Sequence, residues 1–308
     1  MTIFDVLSGQ PLFYIALITI IGLLVGSFLN VVIYRLPVMM EREWSQQCRE
    51  LLAVDDTLTT ADVVAETAID STTDNTINNT EPFNLAVPRS RCPNCNHQIL
   101  ASENIPVISW LFLKGRCSNC AHPIPKRYPL VELATGLISA LIAFQFGFTP
   151  LMLMVLLLTW VLIALTMIDF DHQLLPDSLT LPLLWLGLII NSFGLITDLQ
   201  SALWGAVIGY LVLWSIYWLF KLVTGKEGMG YGDFKLLAAL GAWMGWQSLP
   251  LIILLSSVVG AALGILLIVL KGRDHQQPMP FGPFLAIAGW ITLLWGPVIV
   301  DLYWQWLS

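Results

Sequence analysis

The chain has 308 residues, 56% of them hydrophobic and 11% charged, where an ordinary soluble domain carries about 25% charged residues. With a mean hydropathy of +0.75, this excludes a soluble enzyme, a disordered chain and a secreted disulfide scaffold, and leaves an all-α polytopic membrane protein. The net charge of −7 disfavours nucleic acid as a partner.

Charges are rare inside a bilayer, so charge-free stretches mark the spans. Asp5 and Arg35 enclose 29 uncharged residues, and Glu132 and Asp169 enclose 36. Asp177 to Asp198 leaves 20, Asp198 to Lys221 leaves 22, Lys235 to Lys271 leaves 35 and Asp274 to Asp301 leaves 26. A spanning helix needs about 20 residues. The two longest stretches each hold two helices around a turn, at Gly147-Phe148-Thr149-Pro150 and at Gln247-Ser248-Leu249-Pro250. This predicts about eight transmembrane helices: one in residues 1–36, and seven in residues 129–308. Met1 to Gln10 has no Lys or Arg, so the first segment reads as a retained helix and not as a cleaved signal.

With the N-terminus outside, the inside segments are 35–128, 169–178, 221–235 and 271–280. They hold 9, 0, 3 and 2 basic residues, all 14 in the chain. The positive-inside rule makes these segments cytoplasmic and both termini external.

Residues 37–128 are the one stretch long enough for a soluble subdomain. Within it, 50–81 has eight acids and no Lys or Arg. This composition predicts a solvated, flexible insertion; an acidic lure for a basic substrate is the other reading. Residues 88–124 contain Cys92-Pro93-Asn94-Cys95 and Cys117-Ser118-Asn119-Cys120. Two such pairs can offer four thiolates to one tetrahedral zinc, a zinc ribbon, and four thiolates close the ion to catalysis. A reducing cytoplasm disfavours the alternative, disulfides. Cys48 stands apart and reads as inert, and His97 and His122 lie near the knuckles without being needed.

The acids at the membrane face come next. Glu132 opens the second helix. Asp169, following the third, begins a block with Asp171, His172 and Asp177. Asp233 opens the sixth in Gly230-Tyr231-Gly232-Asp233, with Lys235 two residues on. All face one side, so Asp169 and Asp233 can meet at the cytoplasmic end of the bundle. Two carboxylates sharing a water are the equipment of an aspartyl hydrolase. Gly230 and Gly232 permit close approach of a peptide backbone. Helix-end acids are also often merely solvated, which is the favoured reading for Asp171 and Asp177. Glu132 either binds substrate or cofactor or anchors its helix, and the anchor is preferred. A transporter with a carboxylate proton relay would place acids at the midplane within a repeat. A non-catalytic assembly factor with a recruiting zinc ribbon gives no reason for the glycine-flanked acid.

These segments resemble the bacterial type IV prepilin leader peptidase/N-methyltransferases. The resemblance runs through Gly26-Ser27-Phe28-Leu29-Asn30, Arg35-Leu36-Pro37, both cysteine pairs and Glu103-Asn104-Ile105-Pro106. It continues through Arg127-Tyr128-Pro129-Leu130-Val131-Glu132, the Asp169–Asp177 block and Gly228-Met229-Gly230-Tyr231-Gly232-Asp233-Phe234-Lys235. The acidic stretch 50–81 matches none of the family's motifs. The resemblance implies a GxGD-type intramembrane aspartyl protease of the bacterial inner membrane, with Asp169 and Asp233 as its catalytic pair. It implies removal of a short basic leader from prepilins or pseudopilins after a Gly, at the cytoplasmic face. It further implies N-methylation of the new terminal residue, usually Phe, with S-adenosylmethionine as donor. Gly230, Gly232, Lys235 and Glu132 are the candidate substrate contacts. The glycines do not follow the dinucleotide-type spacing, so any donor site is expected in the cytoplasmic loop, at the helix ends, or both.

Overall fold

The structure is a computed structural model that describes residues 10–59, 83–226, 228–271 and 280–307. Among the described residues the eight long helices are α1 (Pro11–Thr59), α2 (Arg127–Phe146), α3 (Pro150–His172), α4 (Asp177–Ser192), α5 (Leu199–Thr224), α6 (Tyr231–Met244), α7 (Leu249–Lys271) and α8 (Gly282–Leu307). Six of them are long and apolar enough to cross a membrane. The other two, α4 with 16 residues and α6 with 14, rise only about 24 and 21 Å and lie within the bundle. This is a multi-pass membrane protein.

The helix ends follow local chemistry. Thr149 caps α3 by accepting the Met152 N–H at 3.2 Å, with Pro150 at the first helical position. Asp198 caps α5 through the Ser201 N–H at 2.8 Å. Gly225, at φ +70°, closes its other end in the left-handed conformation that glycine adopts at no steric cost.

One expectation on the division of the chain needs correction. Residue 36 is not a helix end: α1 has 49 residues and runs through Pro37 to Thr59. Past the apolar part it is made of good helix formers, with local support from Gln46 to Glu50 at 2.9 Å and Arg49 to the Ser45 carbonyl at 3.2 Å. The first ten residues of the acidic stretch are therefore helical, and 60–82 lie outside the described residues.

Helix α6 is the buried axis of the bundle. From Asp233 to Met244 every residue but Lys235 is buried. Small residues make this possible: a Cβ on Gly205 of α5 would collide with the backbone of Gly241, one on Gly209 would lie 2.8 Å from the Leu237 carbonyl, and one on Gly187 of α4 would strike Trp243. Such close crossings carry helix association where lipid gives no hydrophobic drive. Buried polar groups against α6 bond to its backbone. Asn191 donates to the carbonyls of Ala242 and Trp243, both at 2.8 Å, and accepts the Ile196 and Thr197 amides. The Trp243 indole donates to the Leu183 carbonyl at 2.8 Å. A second seam joins α1 and α2, where Gly22 meets Ser139 and Gly26 meets Glu132.

Gly205→Leu is expected to destabilise the folded protein by about 3 kcal/mol or more, since backbone on both sides cannot yield to a side chain. Unfolding in detergent measures it, and an unchanged midpoint would show that this crossing is not tight.

Candidate active site and metal centre

Asp169 lies in the last turn of α3, not after it, and is 5% exposed. Asp233 is in the first turn of α6 and is 6% exposed. The two carboxyls are close enough that Asp233 feels the charge of Asp169. The Gly230 amide reaches Asp233, and the Gly282 amide, at the start of α8, reaches Asp169. Asp169 Oδ2 is buried and has no hydrogen-bond partner among the described residues. An orphaned carboxylate oxygen, the costliest kind of buried group to leave unpaired, marks a place for a ligand atom.

Leu175 packs between the two acids' glycines. A Cβ on Gly232 would lie 2.7 Å from the Leu175 Cβ, and one on Gly282 would lie 3.1 Å from its Cδ1. The α3–α4 connector is shaped for this by Gln173, a non-glycine at φ 54° whose N–H bonds the Asp169 carbonyl at 2.9 Å. The pair is also deeper than a helix-end position suggests. Gly205 pairs with Gly241 and Gly209 with Leu237, a register that puts Asp233 beside Leu213, about 12 Å along α5 from Lys221.

The neighbouring charges have other partners. Lys235 Nζ grips both oxygens of Asp177 at 2.7 Å, fastening α6 to the start of α4. Two residues on from Asp233, it faces a different side of the helix. Arg127 holds Asp171 at 2.7 Å, clamping the start of α2 to the end of α3. His172 is exposed. Glu132, 8% exposed, accepts the Val107 N–H at 2.7 Å and the Ser27 hydroxyl, an arrangement that suits an anchor.

In the loop, the cysteine pairs are two copies of one knuckle. The Cys92 amide bonds the His97 carbonyl and the Cys117 amide bonds the His122 carbonyl, both at 2.9 Å. Asn96 and Ala121 take the same left-handed turn, at φ 55° and 56°. The sulfurs of Cys92, Cys95, Cys117 and Cys120 all lie within 4.8 Å of one another, with Cys92 to Cys120 at 3.7 Å and Cys95 to Cys117 at 4.0 Å. All four are free thiols. Zinc–sulfur bonds of ~2.3 Å set tetrahedral edges of about 3.8 Å, so the cluster fits that ion. The His122 amide and then the Asn94 side chain pull the Cys120 thiol down to about 6, toward the thiolate a metal needs. Beside the cluster, Ser118, then the Leu100 amide, and His97 hold the Glu103 carboxyl below its ordinary range.

The sequence matches the family described as Bacterial Peptidase A24 N-terminal domain over residues 20–146, and Type IV leader peptidase family over 156–265. A prepilin leader peptidase/N-methyltransferase of Stutzerimonas stutzeri is 60% identical over 305 residues, 99% of each chain. The protein of that name from Pseudomonas aeruginosa is 55% identical over 99% of this chain and 98% of its own. Another, from Dichelobacter nodosus, is 53% identical over 92% of each. This chain belongs to the prepilin leader peptidase/N-methyltransferase family. No solved structure matches it.

Sequence reasoning missed Gly282. A Cβ there would sit 2.6 Å from Asp169 Oδ2, so this glycine lets a backbone amide meet the carboxyl. Its signal was a glycine between Phe281 and Pro283 at the start of a predicted helix, a place where a free N–H faces outward.

Removing the Glu132 carboxyl with Glu132→Ala is expected to speed hydrogen exchange across 105–112 about 10-fold or more, leaving α3 and α6 protected. Glu132→Gln, which keeps an acceptor, is expected to restore most of the protection.

Proposed function

We propose that this protein is an inner-membrane aspartyl endopeptidase that removes the basic leader of type IV prepilins or pseudopilins after a Gly, and then methylates the new N-terminus. The observation carrying the peptidase half is the buried pair Asp169 and Asp233 with an unpartnered oxygen on Asp169.

In this reading the pair shares one proton, because like charges this close do not both ionise easily. A water held between them gives a proton to the ionised carboxylate as its oxygen attacks the scissile carbonyl. The protonated partner donates its hydrogen bond to the carbonyl oxygen. The tetrahedral adduct collapses, the C–N bond breaks, and the amine leaves with a proton from the pair. The products are a leader ending in a carboxylate and a mature pilin with a free amine. A prepilin's apolar helix lies among the other helices while its basic leader stays cytoplasmic, and it unwinds at the scissile bond because helical amides are internally bonded. Gly230, where a Cβ would meet nothing closer than 3.9 Å, leaves room for that strand. Lys235, paired with Asp177, is assigned the positioning of α6, and Glu132 the anchoring of 105–112.

Cys92, Cys95, Cys117 and Cys120 are assigned to one structural zinc, which ties the two knuckles together. The S-adenosylmethionine implied by the family supplies an electrophilic methyl to the new amine. The apolar crevice lined by Ile208, Val212, Trp246, Leu249, Pro250 and Ile253 does not fit a charged nucleoside. The donor is therefore assigned to the cytoplasmic side of the bundle.

Asp169→Asn and Asp233→Asn are each expected to lower prepilin cleavage by about 10³-fold or more, with unfolding in detergent unchanged. Substantial turnover by either purified variant would overturn the assignment. Gly282→Ala is expected to cut cleavage strongly by pushing Asp169 aside. Cys92→Ser is expected to drop zinc from one per chain toward none by elemental analysis, and unaltered zinc would refute the four-cysteine site.

A further inference from the structure

The subdomain between α1 and α2 carries an apolar surface that its own fold does not cover. Ile105, Ile108, Leu111 and Phe112 are exposed, Phe112 to 83%. The last three lie in a five-residue helix, Ile108–Phe112, and Ile105 precedes it. The Trp110 indole instead turns inward to the Ile124 carbonyl at 3.2 Å.

The height of this surface follows from its hydrogen bonds. Val107 donates to Glu132, and Ser27 of α1 reaches the same carboxyl. Ser27 lies eight residues before Arg35, about 12 Å along the helix. Near that level α1 exposes Leu24 and Phe28, and α2 exposes Leu130 and Leu133. These are lipid-facing side chains in a chain that spans a membrane. Val107 thus stands well to the bilayer side of the first arginine, although it belongs to the loop read from sequence as cytoplasmic.

The backbone there makes a sharp return. Val107 has φ 60° and ψ −46°, and the Ile108 amide bonds the Pro106 carbonyl at 2.5 Å. This is a γ-turn with positive φ at a β-branched residue, a strained conformation that persists only when its surroundings hold it. Glu132 holds it. The local amides are satisfied: Ser109 bonds Ile105, Leu111 bonds Val107 and Leu113 bonds Ser109, as irregular backbone near hydrocarbon requires. The charge is complementary as well. Residues 83–128 hold six basic side chains (Arg89, Arg91, Lys114, Arg116, Lys126 and Arg127) and one acid, Glu103, and the inner leaflet is anionic.

We infer that residues 105–114 form a re-entrant interfacial element. Ile105, Ile108, Leu111 and Phe112 are seated among inner-leaflet phospholipids, and the flanking basic side chains meet anionic headgroups. The zinc-ribbon subdomain is then docked on the membrane beside α2 and does not swing on a tether.

The test uses full-length protein in vesicles of phosphatidylethanolamine and phosphatidylglycerol. Photoreactive p-benzoylphenylalanine replaces Phe112 in one sample and Trp44 in another. Trp44 is exposed on α1, nine residues beyond Arg35. Mass spectrometry after illumination is expected to find phospholipid adducts at 112 and none at 44. The 112 adduct should persist when prepilin is added. No lipid adduct at 112, equal adducts at both positions, or adducts at 112 only with prepilin or a second copy of the chain would overturn the inference. Replacing one exposed aromatic by another leaves the fold undisturbed, and zinc content checks that it does.

Discussion

Placing two carboxyl groups inside a helical membrane bundle is the constraint on which the rest of this structure depends. Ionisable groups there are costly to bury and mark function. Asp233 can sit deep only because α6 does, and α6 can only because Gly205, Gly209 and Gly187 let its backbone be surrounded. The same economy of side chains recurs at the pair itself. Gly230 and Gly282 put backbone amides on the two carboxyls, and Gly232 lets Leu175 pack against the start of α6. What remains is a buried carboxylate oxygen facing no protein partner.

The second organising feature is how the subdomain between α1 and α2 is fastened. Two equivalent knuckles bring four thiols together, and Glu132 ties the segment that follows the first knuckle to the membrane helices. Arg35 secures the other edge through the carbonyls of Asn84 and Pro88, at 2.9 and 2.6 Å. Arg127 with Asp171 and Lys235 with Asp177 clamp helix ends around the same region.

Much of this was legible in the sequence, for physical reasons. Charge avoidance in lipid makes uncharged stretches visible, so all eight helices could be read from Asp5 to Asp301 along with their two tight turns. Cysteine spacing gave the knuckles. What the sequence concealed depended on three-dimensional proximity. Pro37 and the charged residues after it disguise the continuation of α1 to Thr59. The depth of Asp233 follows from glycine crossings on another helix. Gly282, over a hundred residues from Asp169, carries no charge that would draw attention to it. Glu132 looked like a lone acid because its partner is a backbone amide at Val107.

The proposed chemistry is hydrolysis of a prepilin at this buried pair and methylation of the product by the same chain. The most direct measurement is mass spectrometry of a prepilin incubated with the purified, zinc-loaded protein, with and without S-adenosylmethionine. Loss of the leader after a Gly is expected in both samples, with one added methyl on the new N-terminus only with donor. An intact prepilin in both, from protein shown to be folded, would contradict it.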